Sequence, residues 1–252
     1  MIFKKYLLLI LLFLCLFLSV SFAQEDINKN FRLGNSYYEK AQYDKAIEEY
    51  EKILKNEIKN AIVYYNLGNA YYKSGRIGNA IVNFERARLL SPRDTDININ
   101  LKFAKLKTKD KIPEINEIMF DLIMNYATDF FTINELTLAS SVTYFLLLGL
   151  LFLIILSRKK HPAFLSIFIL FFALTITSLV YKIMDTQYTK KGIVLADNLE
   201  VRSGPGSDNT LIYAVNEGTK VEILKEDSDY YEIILPNGEK GWTDKKKIEP
   251  IF

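Results

Sequence analysis

The side chains that most often carry chemistry are scarce in this sequence. Its 252 residues include one histidine, His161, and one cysteine, Cys15. These two residues cannot form a Cys/His metal cluster, and a lone cysteine cannot form a disulfide within the chain. His161 lies in a short basic stretch between two apolar segments, a poor position for a catalytic base, and no G-x-x-x-x-G-K-[ST] phosphate loop is present. Pairs of Glu and Asp remain possible as catalytic groups, but nothing marks any pair as special. We therefore expect no catalytic residue, no metal site and no cofactor.

Amide and aromatic side chains instead recur at a fixed interval. Each of the following pairs is separated by 34 residues: Leu33-Gly34-Asn35 and Leu67-Gly68-Asn69, Tyr37-Tyr38 and Tyr71-Tyr72, Ala46 and Ala80, Ile47 and Ile81, Tyr50 and Phe84. This pattern resembles the tetratricopeptide repeat, whose unit is a pair of antiparallel helices. The resemblance implies repeats over residues 27–60 and 61–94, within an all-α domain over residues 24–110.

Residue size along the repeats predicts how their helices pack. Small residues mark close helix crossings, at Gly34, Gly68, Ala46 and Ala80. Large residues are expected to fill the space between the helices, at Leu33, Leu67, Tyr37, Tyr71, Tyr50 and Phe84. A capping helix over Asp96–Lys107 is expected to bury Ile97, Leu101 and Leu106 and to expose its lysines.

The repeat family implies a concave groove lined by the first helix of each unit. Matching the motif places these residues in the groove: Phe31, Asn35, Tyr38, Tyr65, Asn69 and Tyr72. An asparagine amide both donates and accepts hydrogen bonds, so Asn35 and Asn69 are suited to bind the backbone of an extended peptide. The alternative is that the two asparagines only support helix packing.

The first apolar segment reads as a signal peptide over residues 1–23. Lys4 and Lys5 precede an uncharged run, and Ser21 and Ala23 match the small-residue rule for cleavage. The alternative is an uncleaved anchor, although the run is short for a membrane span. Either reading exports the residues that follow.

Two further uncharged segments, residues 136–157 and 162–181, are long enough to span a bilayer. They predict transmembrane helices over residues 132–157 and 162–183. Thr132 and Glu135 form a T-x-x-E capping box at the start of the first. The loop between them, residues 158–161, is basic, which places it in the cytoplasm and both flanking segments outside. Residues 111–131 carry apolar side chains at helical spacing and predict an amphipathic spacer helix, lying on the membrane or docked on the repeats.

The last segment, residues 190–252, alternates short apolar strands with turns, and Asn237-Gly238 is a strong hairpin signal. It resembles a bacterial SH3-like barrel, on the motifs Val201-Arg202-Ser203-Gly204-Pro205-Gly206, Gly218-Thr219-Lys220-Val221 and Gly241-Trp242. The family often binds cell-wall components or peptides. Its ligand face would comprise Tyr213, Tyr230, Tyr231 and Trp242; the alternative places Trp242 and Tyr231 in the core. Arg202 is expected to brace its own loop.

The sequence thus predicts a multidomain membrane protein: an all-α tetratricopeptide domain, a two-helix transmembrane hairpin and a small all-β SH3-like barrel. This order resembles the BatE-like proteins of the Bacteroides aerotolerance family. That resemblance implies an inner-membrane scaffold with both soluble domains on the periplasmic side, working beside von Willebrand A-domain membrane proteins. A peptidoglycan-binding protein is the alternative. The formal net charge of +2 gives no basic footprint for nucleic acid.

Overall fold

The computed structural model describes residues 28–55, 58–110, 129–157 and 162–252. Within these ranges an all-helical domain is followed by two long apolar helices and an antiparallel β domain, which confirms the predicted fold class. The predicted signal peptide (1–23), the cytoplasmic loop (158–161) and most of the spacer helix (111–128) lie outside the described residues.

The helical domain is built from two antiparallel helix pairs and a fifth helix. Helix α1 covers residues 28–39. The others are α2 (Tyr43–Leu54), α3 (Ala61–Lys73), α4 (Ile77–Leu90) and α5 (Thr95–Leu106). Asn60 caps α3 by accepting hydrogen bonds from the amides of Ile62 and Val63, and Asp94 caps α5. These caps satisfy amides that the first helical turn leaves without partners.

The predicted close crossings are confirmed at both repeat glycines. A Cβ added to Gly34 would lie 2.5 Å from Cε1 of Tyr50, and one added to Gly68 would lie 2.7 Å from Cδ1 of Phe84. Two predicted core positions are wrong. Leu33 is 37% exposed because no described helix precedes α1 to cover it. Leu106 is 61% exposed at the end of α5, where Ala104 is buried instead.

Two long helices, α6 (Ile133–Ser157) and α7 (Pro162–Gln187), pack against each other. Their segments Ile133–Leu156 and Pro162–Thr186 are long and apolar enough to cross a membrane. The predicted capping box is confirmed. The amide of Thr132 donates to Oε2 of Glu135 at 2.9 Å, and the amide of Glu135 donates to Oγ1 of Thr132 at 3.2 Å.

Seven strands form the β domain, which keeps the name barrel below, and all of their pairings are antiparallel. They are β1 (Lys190–Val194), β2 (Leu199–Arg202), β3 (Leu211–Val215), β4 (Lys220–Asp227), β5 (Tyr230–Ile234), β6 (Lys240–Asp244) and β7 (Ile248–Pro250). Their order in the sheet is β3-β2-β6-β5-β4-β1-β7. The predicted Asn-Gly turn joins β5 to β6, with Gly238 at a positive φ of 84° that favours glycine.

The helical domain and the β domain pack directly on each other through α4. The amide of Gly78 donates to Oε1 of Glu217 at 2.7 Å. Arg86 donates to the carbonyls of Pro250 and Ile251 and to the Glu249 carboxylate, each at 2.7 Å. The side chain of Ile251 is buried within the core of the helical domain. Strand β7, one edge of the sheet, is therefore covered by a helix.

At the centre of this junction lies Glu85, which is 1% exposed. Its carboxylate lies 2.6 Å from Nζ of Lys105, 3.1 Å from Nη2 of Arg88 and 3.5 Å from Nζ of Lys220. Burial alone would raise the pKa of Glu85, but the charges of Lys220, Lys105 and Arg88 outweigh burial and hold the pKa well below its usual range. One buried carboxylate thus links α4, α5 and the start of β4.

A second carboxylate anchors the end of the helical domain on the barrel. Asp110 accepts hydrogen bonds from the amide of Asn216 at 2.6 Å, from its side-chain nitrogen at 2.7 Å and from Oγ1 of Thr219 at 3.0 Å. Burial opposes ionisation of Asp110, but these hydrogen bonds lower its pKa overall. The segment after α5 is therefore held against the β3–β4 turn.

Candidate functional site

The α1 end of the concave face opens into a cavity of about 240 Å³. It is lined by Asn35, Tyr38, Glu39, Tyr50, Asn66 and Asn69. Burial raises the pKa of Tyr50 to about 12, so its hydroxyl stays protonated at neutral pH. That hydroxyl donates to Oδ1 of Asn35 at 2.7 Å and fixes the orientation of the amide.

A second cavity, of about 270 Å³, opens at the α5 end of the same face. Its walls are mainly aromatic and amide side chains: Tyr38, Tyr65, Asn69, Tyr72, Lys73, Phe84, Asn100 and Phe103. Tyr38 and Asn69 line both cavities, which places the two openings side by side along one groove. The groove thus has polar groups at its floor and aromatic rings at its sides.

Two asparagine pairs along the groove floor are joined through the same donor and acceptor atoms. Nδ2 of Asn66 donates to Oδ1 of Asn35 at 3.2 Å, and Nδ2 of Asn100 donates to Oδ1 of Asn69 at 2.8 Å. Within the described residues, the side-chain nitrogens of Asn35 and Asn69 have no hydrogen-bond partner. The side-chain oxygens of Asn66 and Asn100 have none either. Each pair therefore offers one donor and one acceptor, which complement a peptide backbone.

Five of the six groove residues expected from the sequence line the cavities, namely Asn35, Tyr38, Tyr65, Asn69 and Tyr72. Phe31 does not; its ring packs 6.1 Å from that of Tyr50, at the edge of the helical core. Sequence reasoning missed Asn66 and Asn100, although they share the 34-residue separation of the other repeat positions. Their spacing was therefore a usable signal.

The barrel does not bring its four predicted ligand residues together. Trp242 lies opposite Glu232, whereas Tyr231 lies opposite Thr243, so the two rings point to opposite faces of the sheet. Tyr231 is 6% exposed and belongs to the barrel core. Tyr213 packs against the same core, and its hydroxyl donates to the carbonyl of Glu239 at 3.3 Å.

Trp242 and Tyr230 remain on the outer face of the sheet, and both are partly exposed. Trp242 lies between Arg202 on β2 and Glu232 on β5. Arg202 also donates to the carbonyl of Asn209 at 2.7 Å, which confirms the prediction that it braces its own loop. The outer face therefore presents an aromatic side chain flanked by one cation and one carboxylate.

Comparison with known families identifies three matches in this chain. Residues 197–248 match the bacterial SH3 domain, residues 34–75 match the TPR repeat and residues 61–94 match the tetratricopeptide repeat. Each match covers less than half of the chain. Tetratricopeptide repeats and a bacterial SH3 domain are therefore present, as the sequence motifs predicted.

Part of the chain is similar to a curated protein. It is the putative N-acetylmuramoyl-L-alanine amidase YrvJ of Bacillus subtilis (strain 168), which is 35% identical over 78 residues. The similarity spans 30% of this chain and 15% of that protein. The likeness concerns a short segment of a much longer relative.

Proposed function

We propose that this chain is a membrane-anchored scaffold that acts outside the cytoplasm by binding proteins or peptides, without catalysis of its own. The groove carries the proposal, because its two asparagine pairs leave donors and acceptors unused one repeat apart. The scarcity of histidine and cysteine favours binding over chemistry. Packing the barrel on α4 holds a second interaction module next to the first.

Anchoring rests on α6 and α7, whose length and composition suit membrane spans. We place both soluble domains on the periplasmic side of a bacterial inner membrane, on the basis of the export signal and the basic loop between the spans. Von Willebrand A-domain membrane proteins are the partners that we propose, from the resemblance of the domain order to the aerotolerance family. Two modules on one anchor raise the local concentration of a ligand that engages both.

The test is co-purification of tagged full-length protein from native membranes in mild detergent. Asn35→Asp together with Asn69→Asp is the matched variant, because aspartate keeps the acceptor oxygens used by Tyr50, Asn66 and Asn100. It replaces each free donor with a second acceptor oxygen and adds one negative charge at each site. We expect von Willebrand A-domain proteins to co-purify with the wild type and to be lost from the variant. Equal recovery with both proteins would exclude the groove as their binding site.

A second function, binding to the cell wall, is favoured by the SH3 match and by the partial similarity to a putative amidase. On this hypothesis Trp242 on the outer face of the barrel would contact the wall polymer. Trp242→Ala should then reduce retention on purified sacculi, whereas the Asn35/Asn69 variant should bind like the wild type. If wild-type protein is not retained on sacculi, this hypothesis fails.

A further inference from the structure

The two ends of the groove carry opposite charges. Glu39 lines the cavity at the α1 end, and its side chain is exposed. Lys73 lines the cavity at the α5 end, and Nζ of Lys107 lies 4.5 Å from the centre of the Tyr72 ring in the same wall. A ligand lying along the groove would therefore meet a carboxylate at one end and two ammonium groups at the other.

Neither lysine is neutralised within the part of the chain that the structure describes. Lys73 and Lys107 are exposed, and no described carboxylate lies within ion-pair distance of either. Lys105, two residues before Lys107, contrasts with both lysines because it pairs with Glu85 at 2.6 Å. The positive charge at the α5 end is therefore free to attract an anionic group.

Apolar surface adjoins this positive end. Phe103 lines the cavity and is 55% exposed. Ile99 and Leu106 lie four residues before and three residues after it, so the three side chains share one exposed face of α5. An apolar ligand side chain placed here would remove surface from water that the described chain leaves exposed.

We infer that the groove selects an extended peptide with a carboxylate and a large apolar side chain at the α5 end. The inference rests on the proposed function of the groove and adds the charge and direction of its ligand. Lys73 and Lys107 would attract the carboxylate, Phe103 would contact the apolar side chain, and Glu39 would disfavour the reversed orientation. The carboxylate is either an Asp or Glu side chain or the end of a peptide chain.

The test measures binding of random octapeptide pools to the full-length protein in detergent, with each position scanned through all side chains. All pools are N-acetylated, and each is made with a free and with an amidated carboxyl end. The variant is Lys73→Gln with Lys107→Gln. The control is Lys246→Gln with Lys247→Gln, two exposed barrel lysines whose replacement changes the net charge equally.

We expect pools with a carboxylate near one end and an apolar residue beside it to bind about three- to tenfold more tightly than neutral pools. That range corresponds to about 0.7–1.4 kcal/mol, as exposed ion pairs contribute little each. The preference should weaken with salt and disappear in the Lys73/Lys107 variant, but persist in the control. If the preference is the same for amidated peptides, the carboxylate is that of an Asp or Glu side chain. If the preference requires the free carboxyl end, the carboxylate is the C-terminus of the peptide.

The remaining outcomes separate this inference from the proposed function. Peptides that bind without a preference for acid, or with a preference that the Lys73/Lys107 variant retains, would overturn the inference and leave groove binding intact. Pools that bind the wild type no better than the Asn35→Asp/Asn69→Asp variant would overturn both the inference and the proposed peptide binding in the groove.

Discussion

The same helices carry two surfaces that differ in how completely the chain satisfies its own polar groups. At the junction with the barrel, Glu85 has three cationic partners and Arg86 has three acceptors. In the groove, the side-chain nitrogens of Asn35 and Asn69 have no partner among the described residues. Saturated polar groups indicate a structural contact, whereas accessible unused ones indicate a site for another molecule.

Because the junction is the surface whose polar groups are fully paired, we expect a substitution there to lower stability more than a substitution in the groove. Glu85→Gln would leave three cations around a buried neutral amide, which we expect to lower the free energy of unfolding by about 2–4 kcal/mol. Urea unfolding followed by the fluorescence of Trp242, the one tryptophan in the sequence, measures this on the barrel.

The control for that measurement is Glu226→Gln. Glu226 pairs with Lys245 on the surface of the barrel, so the same isosteric change should leave the urea midpoint unaltered. Equal midpoints for all three proteins would show that the ion cluster contributes nothing to docking.

Acid should remove the contribution of the Glu85 carboxylate to the free energy of unfolding. The pKa of Glu85 is lower in the folded protein than the ordinary value of about 4.3, so its carboxylate stabilises the fold fully above that pH and progressively less below it. We expect the difference in unfolding free energy between wild type and Glu85→Gln to be constant from pH 7 to pH 5 and to shrink towards pH 3. A difference that grows in acid would contradict this assignment.

Gly78 provides a test in which the sign of the effect is informative. In a free helix, Gly→Ala stabilises by up to about 1 kcal/mol. Here a Cβ would lie 2.8 Å from the carbonyl oxygen of Val194 and 2.9 Å from Cγ of Glu217, so we expect Gly78→Ala to destabilise by about 1–3 kcal/mol instead. Urea titration of the wild type and Gly78→Ala shows whether the substitution stabilises or destabilises the protein. Stabilisation would mean that α4 and the barrel do not stay in contact in solution.

The smallest effect on stability is expected in the groove. Asn69→Ala removes one hydrogen bond, from Asn100, at a site open to solvent, and should cost less than about 1 kcal/mol in unfolding followed by circular dichroism at 222 nm. The variant should nevertheless lose peptide binding. A cost as large as that of Glu85→Gln would support the alternative that the groove asparagines serve helix packing.

Local patterns predicted the elements of this protein well. The 34-residue period indicated two helix pairs, the uncharged segments indicated α6 and α7, and Asn237-Gly238 indicated the hairpin between β5 and β6. These signals succeed because each depends on residues close together in the chain, where helix pitch, strand alternation and turn geometry set the structure.

The candidate site was only partly predictable, because its contacts join residues that lie far apart in the chain. Asn35 and Asn69 followed from the repeat, but their pairing with Asn66 and Asn100 depends on how α1, α3 and α5 lie side by side. The opposite faces of Tyr231 and Trp242 depend on strand register, since a shift of one residue reverses every side chain.

The sequence by itself determined which modules this protein contains and the order in which they follow one another. Only the tertiary structure decided that Glu85 is buried against a lysine 135 residues away, that β7 is covered by α4, and that Lys73 and Lys107 lie at the same end of a groove. Contacts of this kind depend on packing between distant segments, and the free energy of that packing is not encoded in any local pattern of residues.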